Sequence, residues 1–364
     1  MVIATLQFAN TETLKLYSLH PIRWATIFLV VLPFTLLVAA TIAGLAQNRE
    51  WAQSVRNWLR YVVWAEASLL LILATAGFVY ERASQARDFR LFPPPGKIID
   101  LGGYGVHLYC TGHGSPTVIL EHGLDGSYLE WRKVQPAIAA FTRVCSYDRP
   151  GYGWSDRSSE PRIPSAMAQE LHSLLIKAGE QPPFILVGHS MGAFNVLMFA
   201  HRHPDEVSAL VLVDGSHPEE SLPFPWKQKV SLRFLQFTTP FGLPRLRKWC
   251  AGRDPDLQAV RAAVNCKARV FRTHYEQWSA FPAAAAEMSE VAEPFKIPLV
   301  VISRDPAVGR RPAGEQRWAQ LQQALLQFSS NSTQIVATRS GHAIPGQRPD
   351  VVVEAVRRLI GNRK

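Results

Sequence analysis

The stretch Phe184-Ile185-Leu186-Val187-Gly188-His189-Ser190-Met191-Gly192-Ala193 governs how the rest of the chain is read. Four consecutive large apolar residues suit a strand buried on both faces, and the apolar run after Gly192 suits a helix. A serine held in a tight turn between the two has its hydroxyl clear of the backbone, and the flanking glycines remove side chains that would clash in the bend. Gly-x-Ser-x-Gly alone is a common pattern. Its setting between strand and helix makes Ser190 a candidate nucleophile rather than simply a helix cap.

The neighbouring sequence repeats this rhythm. Short apolar runs ended by turn residues, VHLYC, TVILEHG, RVCSYD, ALVLVDG, PLVVISR and TQIVATRSGH, alternate with helical stretches at 165–178 and 192–201. Strand-helix alternation of this kind predicts an α/β architecture around a mostly parallel, doubly wound sheet. Ligands bind such sheets at the carboxyl ends of the strands, where the polar residues of interest fall.

A serine hydroxyl needs a base within hydrogen-bond reach to act as a nucleophile. Of eleven histidines, His342 in Ser340-Gly341-His342 follows the last strand run and precedes a helix beginning near Pro349, a place that can fold back over Ser190. His201 and His203, at a helix end before Pro204, read as exposed. An oxyanion needs two backbone donors. Met191, just after the serine, can supply one from the positive end of its helix. Leu124, after His122-Gly123, can supply the second, with Gly123 and Gly126 letting that loop approach closely.

Taken in order, the His122-Gly123 turn, YDRPGYGWSD at 147–156, GHSMG, LVLVDG and SGH resemble the α/β-hydrolase superfamily from about Ile98 to the C-terminus. The resemblance implies an α/β-hydrolase fold, and the roughly eighty residues between Asp214 and the next strand run, too many for a plain connection, predict a helical cap over the site. It assigns Ser190 as nucleophile, His342 as base, and Leu124 and Met191 as oxyanion donors. It departs at the acid, which members commonly carry a few residues after the seventh strand. There the chain reads Ile302-Ser303-Arg304-Asp305-Pro306-Ala307, with Ala307 where an aspartate is expected and Asp305 two residues early. Other members place the acid at the end of the sixth strand, where Asp214 stands. Asp214 is preferred over Asp305 because an acid at a strand end faces the histidine without loop rearrangement, and Pro306 pushes Asp305 toward an extended backbone.

Two apolar runs precede the stiff Pro93-Pro94-Pro95-Gly96 linker. Residues 25–46 carry no charge and would span roughly 33 Å as a helix, the thickness of a hydrocarbon core. Residues 61–80 have similar length and aromatic ends. The domain boundaries expected are therefore 1–90 for an anchor with two transmembrane helices and 91–364 for the hydrolase, with a cap insertion at about 217–295. A signal peptide cleaved after Gly44-Leu45-Ala46 is disfavoured by the second helix that follows. Six Lys or Arg flank the pair (Lys15, Arg23, Arg82, Arg87, Arg90, Lys97) against three between (Arg49, Arg56, Arg60), which favours a multi-pass membrane protein with a cytoplasmic catalytic domain.

Net charge is +10. Within the insertion, 226–249 carries six Lys or Arg and no acid, interleaved with aromatic residues, a composition that suits a helix at a membrane interface. No nucleic-acid-binding module accompanies it, so nucleic acid is not expected as a partner. The four cysteines lack metal or redox spacing and suggest neither a zinc site nor a disulfide framework.

The expected activity is hydrolysis of an ester of an apolar acyl compound through an acyl-enzyme on Ser190, with no cofactor and no metal, a small-molecule ester as substrate and the lipid bilayer as partner. Thioester or amide hydrolysis and acyl transfer use the same residues. A non-catalytic ligand-binding protein that keeps the fold is the reading from another class. Epoxide hydrolysis and dehalogenation by the superfamily's usual route are disfavoured, since those reactions use an aspartate where Ser190 stands.

Overall fold

The computed structural model describes residues 49–361 apart from 221, 253, 292, 310 and 311. The apolar run at 25–46 lies outside the described residues. The described chain divides into two compact units, one of Pro94–Phe224 and the residues from Arg272 onward, the other of the residues up to Pro93 together with Pro225–Phe271.

The first unit is built on one eight-stranded sheet: β1 (Lys97–Asp100), β2 (Gly105–Thr111), β3 (Thr117–Glu121), β4 (Val144–Tyr147), β5 (Phe184–His189), β6 (Val207–Val213), β7 (Leu299–Arg304) and β8 (Ser332–Ala337). Their spatial order is β1-β2-β4-β3-β5-β6-β7-β8. Only β1–β2 and β2–β4 pair antiparallel; every pairing from β4 to β8 is parallel. Seven of these strands carry the apolar runs read from the sequence. β1, the four-residue KIID at the sheet edge, has no such run, because an edge strand needs little apolar cover.

Central strands β3, β5, β6 and β7 are buried along their whole length. Successive residues feed opposite cores. Ile119, Leu186, Leu210 and Val301 pack with Phe194, Leu197 and Leu171, while Val118, Ile185, Val211 and Ile302 pack with Trp131, Ile138 and Val356. Each such fully buried side chain contributes about 1.5–3 kcal/mol relative to exposure. The helix Pro164–Ala178 starts on a proline and stops at Gly179, whose left-handed φ of 76° supplies the cap that a Cβ would oppose.

The cysteines correct the sequence reading. Cys110 and Cys145, directly paired residues on β2 and β4, form a disulfide, and so do Cys250 and Cys266 in the second unit. Separations of 35 and 16 residues leave no local spacing signal; only strand pairing brings the first pair together.

In the second unit one helix runs over Arg49–Leu91, beyond both ends of the apolar stretch 61–80. Its segment Gln53–Leu91 is long and apolar enough to cross a membrane. The helices Trp226–Thr238, Leu243–Leu246 and Gln258–Asn265 belong to the same unit. Gly77 allows close approach of the insert: a Cβ there would meet the Phe241 carbonyl oxygen at 2.4 Å. Four residues on, buried Glu81 accepts hydrogen bonds from Arg245 Nε (2.8 Å) and Nη2 (3.0 Å), and Arg245 Nη1 donates to Asp88 (2.6 Å).

Candidate active site

β5 ends in the turn that carries Ser190. The serine adopts φ of 52°, a left-handed conformation uncommon for a residue with a side chain, which turns its hydroxyl outward. The two glycines of the motif are sterically required. A Cβ on Gly188 would lie 2.7 Å from the Gly192 carbonyl oxygen, and one on Gly192 would lie 2.8 Å from the His122 oxygen. The Ser190 N–H donates to Val213 O at the end of β6, and the Asp214 N–H donates to Ile302 O on β7.

His342, five residues past the end of β8, reaches back over this edge. Its Nε2 lies 3.0 Å from Ser190 Oγ and its Nδ1 lies 2.6 Å from Asp214 Oδ2. An ionised carboxylate only accepts, so Nδ1 carries the proton and Nε2 is left to accept from the serine hydroxyl.

Asp214 is fully buried and held by four donors. Besides His342, they are the Arg304 N–H (3.1 Å), Arg304 Nη1 (3.1 Å) and Trp318 Nε1 (2.7 Å). Burial opposes ionisation, but the His342 hydrogen bond and the Arg304 charge outweigh it and hold the carboxyl well below the usual range. Arg304 is itself anchored by Glu315. Asp305, the other acid considered, does not join the histidine. Its carboxylate accepts the Ala307 N–H (2.9 Å), the local capping geometry of an aspartate before proline, and the Arg339 N–H (2.8 Å) in the loop after β8. Those two bonds lower its pKa.

Leu124 and Met191 both lie beside the serine turn. Among the described residues, neither N–H donates to another group, which leaves both available to an oxyanion. Gly123 makes the approach possible: a Cβ there would sit 3.2 Å from Ser190 Cβ. His201 is exposed, as read, whereas His203 is half-buried and stacked on His172.

Two groups of supporting residues escaped the sequence reading. Arg149, in the YDRPGYGWSD segment, is buried and donates from Nη1 to Glu121 and the His122 carbonyl, and from Nη2 to the Gly123 carbonyl at 2.6 Å. It thereby fixes the loop that ends in Leu124. The signal was present in the single acid, Glu121, that closes the otherwise apolar strand TVILE. The second group is His189 with Glu130. His189 Nε2 donates to the His342 carbonyl at 2.9 Å, and its Nδ1 lies 2.7 Å from Glu130 Oε1. Both ring nitrogens face acceptors, which favours the imidazolium; burial opposes the charge, but Glu130 raises its pKa nonetheless. The His342 pKa, by contrast, is lowered, by burial first and then by the positive charges of His189 and Arg304 against the Asp214 hydrogen bond.

This architecture is the α/β-hydrolase fold. A family model described as alpha/beta hydrolase fold matches residues 116–244. The epoxide hydrolase CorEH superposes with a TM-score of 0.56 at 21% identity, over 74% of this chain and 98% of its own. A thermophilic esterase from Thermogutta terrifontis superposes with a TM-score of 0.53 at 19% identity, over 73% and 97%. An uncharacterized vacuolar membrane protein of Saccharomyces cerevisiae is 34% identical over 108 residues, 29% of this chain and 17% of that protein. The first curated relatives are matched over only 17% to 59% of their own length.

Proposed function

We propose that this chain is a membrane-anchored serine hydrolase of the α/β-hydrolase superfamily, cleaving an ester of an apolar acyl compound through an acyl-enzyme on Ser190. The observation that carries this reading is the 3.0 Å approach of His342 Nε2 to Ser190 Oγ, with Asp214 behind the imidazole. His342 takes the serine proton as Oγ attacks the acyl carbon, then returns it to the leaving alcohol; water repeats the sequence to release the acid. Asp214 holds the tautomer and stabilises the imidazolium. The N–H groups of Leu124 and Met191 receive the oxyanion. The sequence calls for no metal or organic cofactor.

A serine in the nucleophile position separates this reading from the aspartate-based route expected of an epoxide hydrolase, and an esterase is among the proteins of similar fold. Thioesterase, amidase and acyltransferase activity remain chemistries of the same three residues; a screen of acyl donors ranks them. Labelling by a fluorophosphonate probe tests the proposal. Wild-type protein is expected to react and Ser190→Ala to be silent; an unreactive wild type, or a reactive variant, favours the non-catalytic ligand-binding alternative.

We further read residues 1–90 as the anchor, with crossing helices at 25–46 and 61–80 in a multi-pass arrangement, and 91–364 as the hydrolase domain with its insertion at about 217–295. The yeast relative named as a vacuolar membrane protein supports membrane association. For orientation, the disulfides weigh more than the cation count. Disulfides persist in oxidising compartments and are rare in a reducing cytosol. Two of them outweigh a bias of six cations against three, so the hydrolase domain is assigned to the non-cytoplasmic side.

A further inference from the structure

The contacts between the long helix and the insert fix the depth at which the insert meets a membrane. Given that Gln53–Leu91 crosses the bilayer, a reading this inference rests on, the apolar run ends at Tyr80 and the first charge after it is Glu81. That charge is neutralised by the insert itself, through Arg245, which also holds Asp88 two turns further on. At Gly77 the backbone of Phe241 comes into direct contact with the helix. Gly77 lies four residues before Glu81, the first charge, about 6 Å at the helical rise of 1.5 Å per residue. The Thr239–Phe241 turn therefore sits within the boundary between headgroups and acyl chains, where interfacial helices bury their apolar faces by about 5–10 Å.

The rest of the insert has the surface such a position requires. Phe237 is 72% exposed, Trp226 65% and Leu246 59%, large apolar side chains that water alone does not favour. The rings of Phe237 and Phe241 lie 6.0 Å apart, tilted by 58°. Among the basic residues, Arg245 is taken by the helix, and Lys227, Lys229, Arg233, Arg247 and Lys248 are all exposed. No acid occurs between Trp226 and Trp249; the first ones, Asp254 and Asp256, follow the cysteine at 250.

We infer that the insert 226–249 is a docking surface for the anionic headgroup layer of the bilayer, seated there by the Gly77–Phe241 contact and the Arg245 ion pairs. Cations lie against lipid phosphates while Trp226, Phe237 and Leu246 enter the acyl boundary. A long helix traversing the membrane and a surface helix lying in it are thus one compact unit.

The full chain in phosphatidylcholine vesicles with and without phosphatidylglycerol provides the test. All four native cysteines are bonded, so Phe237→Cys introduces the single thiol for a fluorescent label. In phosphatidylglycerol vesicles, quenching by lipid carrying a nitroxide near the headgroup is expected to exceed quenching by aqueous iodide several-fold. The same result is expected for Trp226→Cys, which guards against a variant that misfolds. Labels at both positions that are open to iodide and blind to the lipid quencher, in protein that resists carbonate extraction, overturn the docking surface while leaving the anchor intact. Extraction by carbonate overturns the crossing helix on which the inference rests. Protection that is unchanged by removing phosphatidylglycerol and by Lys227→Gln with Arg233→Gln overturns the anionic assignment. None of these readouts uses hydrolysis, so they stand apart from the fate of the esterase proposal.

Discussion

His342 Nδ1 meets Asp214 Oδ2 at 2.6 Å, so the acid that faces the histidine stands at the end of β6 and not in the loop after β7. The loop after β7 contributes instead through Arg304, which donates both its N–H and a guanidinium nitrogen to the same carboxylate.

Substitution of the two aspartates follows from this. Asp214→Asn removes the acceptor that fixes the imidazole tautomer, and kcat is expected to fall by roughly 10⁴-fold. Asp305→Asn touches neither Ser190 nor His342 and keeps an oxygen to accept from Ala307 or Arg339, so it is expected to lower turnover far less than Asp214→Asn. Steady-state kinetics of both variants decide the matter, and the reverse ranking reassigns the acid.

The pH profile carries a sign. In the proposed mechanism His342 serves as base only when neutral, so kcat/KM is expected to be retained above its pKa and lost below it. Because burial and neighbouring cations lower that pKa, the acid limb is expected below the ordinary imidazole value of 6.5. Removing the positive neighbour with His189→Asn is expected to move the limb upward, which a purely structural role for His189 does not predict. The other charged groups facing His342, Asp214 and Arg304, are unchanged in that variant, while Glu130 loses its partner and shifts the limb in the same direction.

Acid stability follows from two other histidines. His274 is held at about 3 by burial, and His122 at about 4 by burial and the Arg149 charge. Each binds its proton in the unfolded chain near pH 6.5 but in the folded one only near those lower values. Stability is therefore expected to fall as pH drops from about 6.5 toward 4 and to change little above 7 on their account. Thermal melts across that range measure it.

Arg245→Ala leaves Glu81 buried without its cation. Breaking a buried pair from one side costs about 3–5 kcal/mol, so the insert is expected to become protease-sensitive while the sheet keeps its protection. Limited proteolysis of the detergent-solubilised chain is the measurement, with Arg245→Lys expected to restore part of the protection.

The disulfides predict compartment and stability together. All four cysteines should resist alkylation in intact cells until reductant is added, and free thiols there would return the domain to the cytosol. Replacing Cys110 and Cys145 by alanine is expected to cost about 2–5 kcal/mol in denaturant melts.

Much of this was legible before any coordinates. The buried strands announced themselves because both faces of a parallel strand are apolar, the Ser190 turn because a sharp bend demands glycine on either side, and His342 because it follows the last strand run. Signals that depend on distant pairing were silent. Cys110 finds Cys145 only through the β2–β4 register, and Glu130 finds His189 only once the sheet has formed. Arg149 read as one cation in a turn-rich segment, although its guanidinium sets the loop before Leu124. The apolar run stops at Tyr80 while the helix continues to Leu91, because hydropathy reports lipid and the charged turns beyond the run are kept by Arg245.

The ladder that ties Ser190 to Val213 and Asp214 to Ile302 makes the reacting groups hang from adjoining strand ends like tools on one rail. Disturbing the register of β5, β6 or β7 is then expected to move these groups relative to one another even where none of their own side chains is altered.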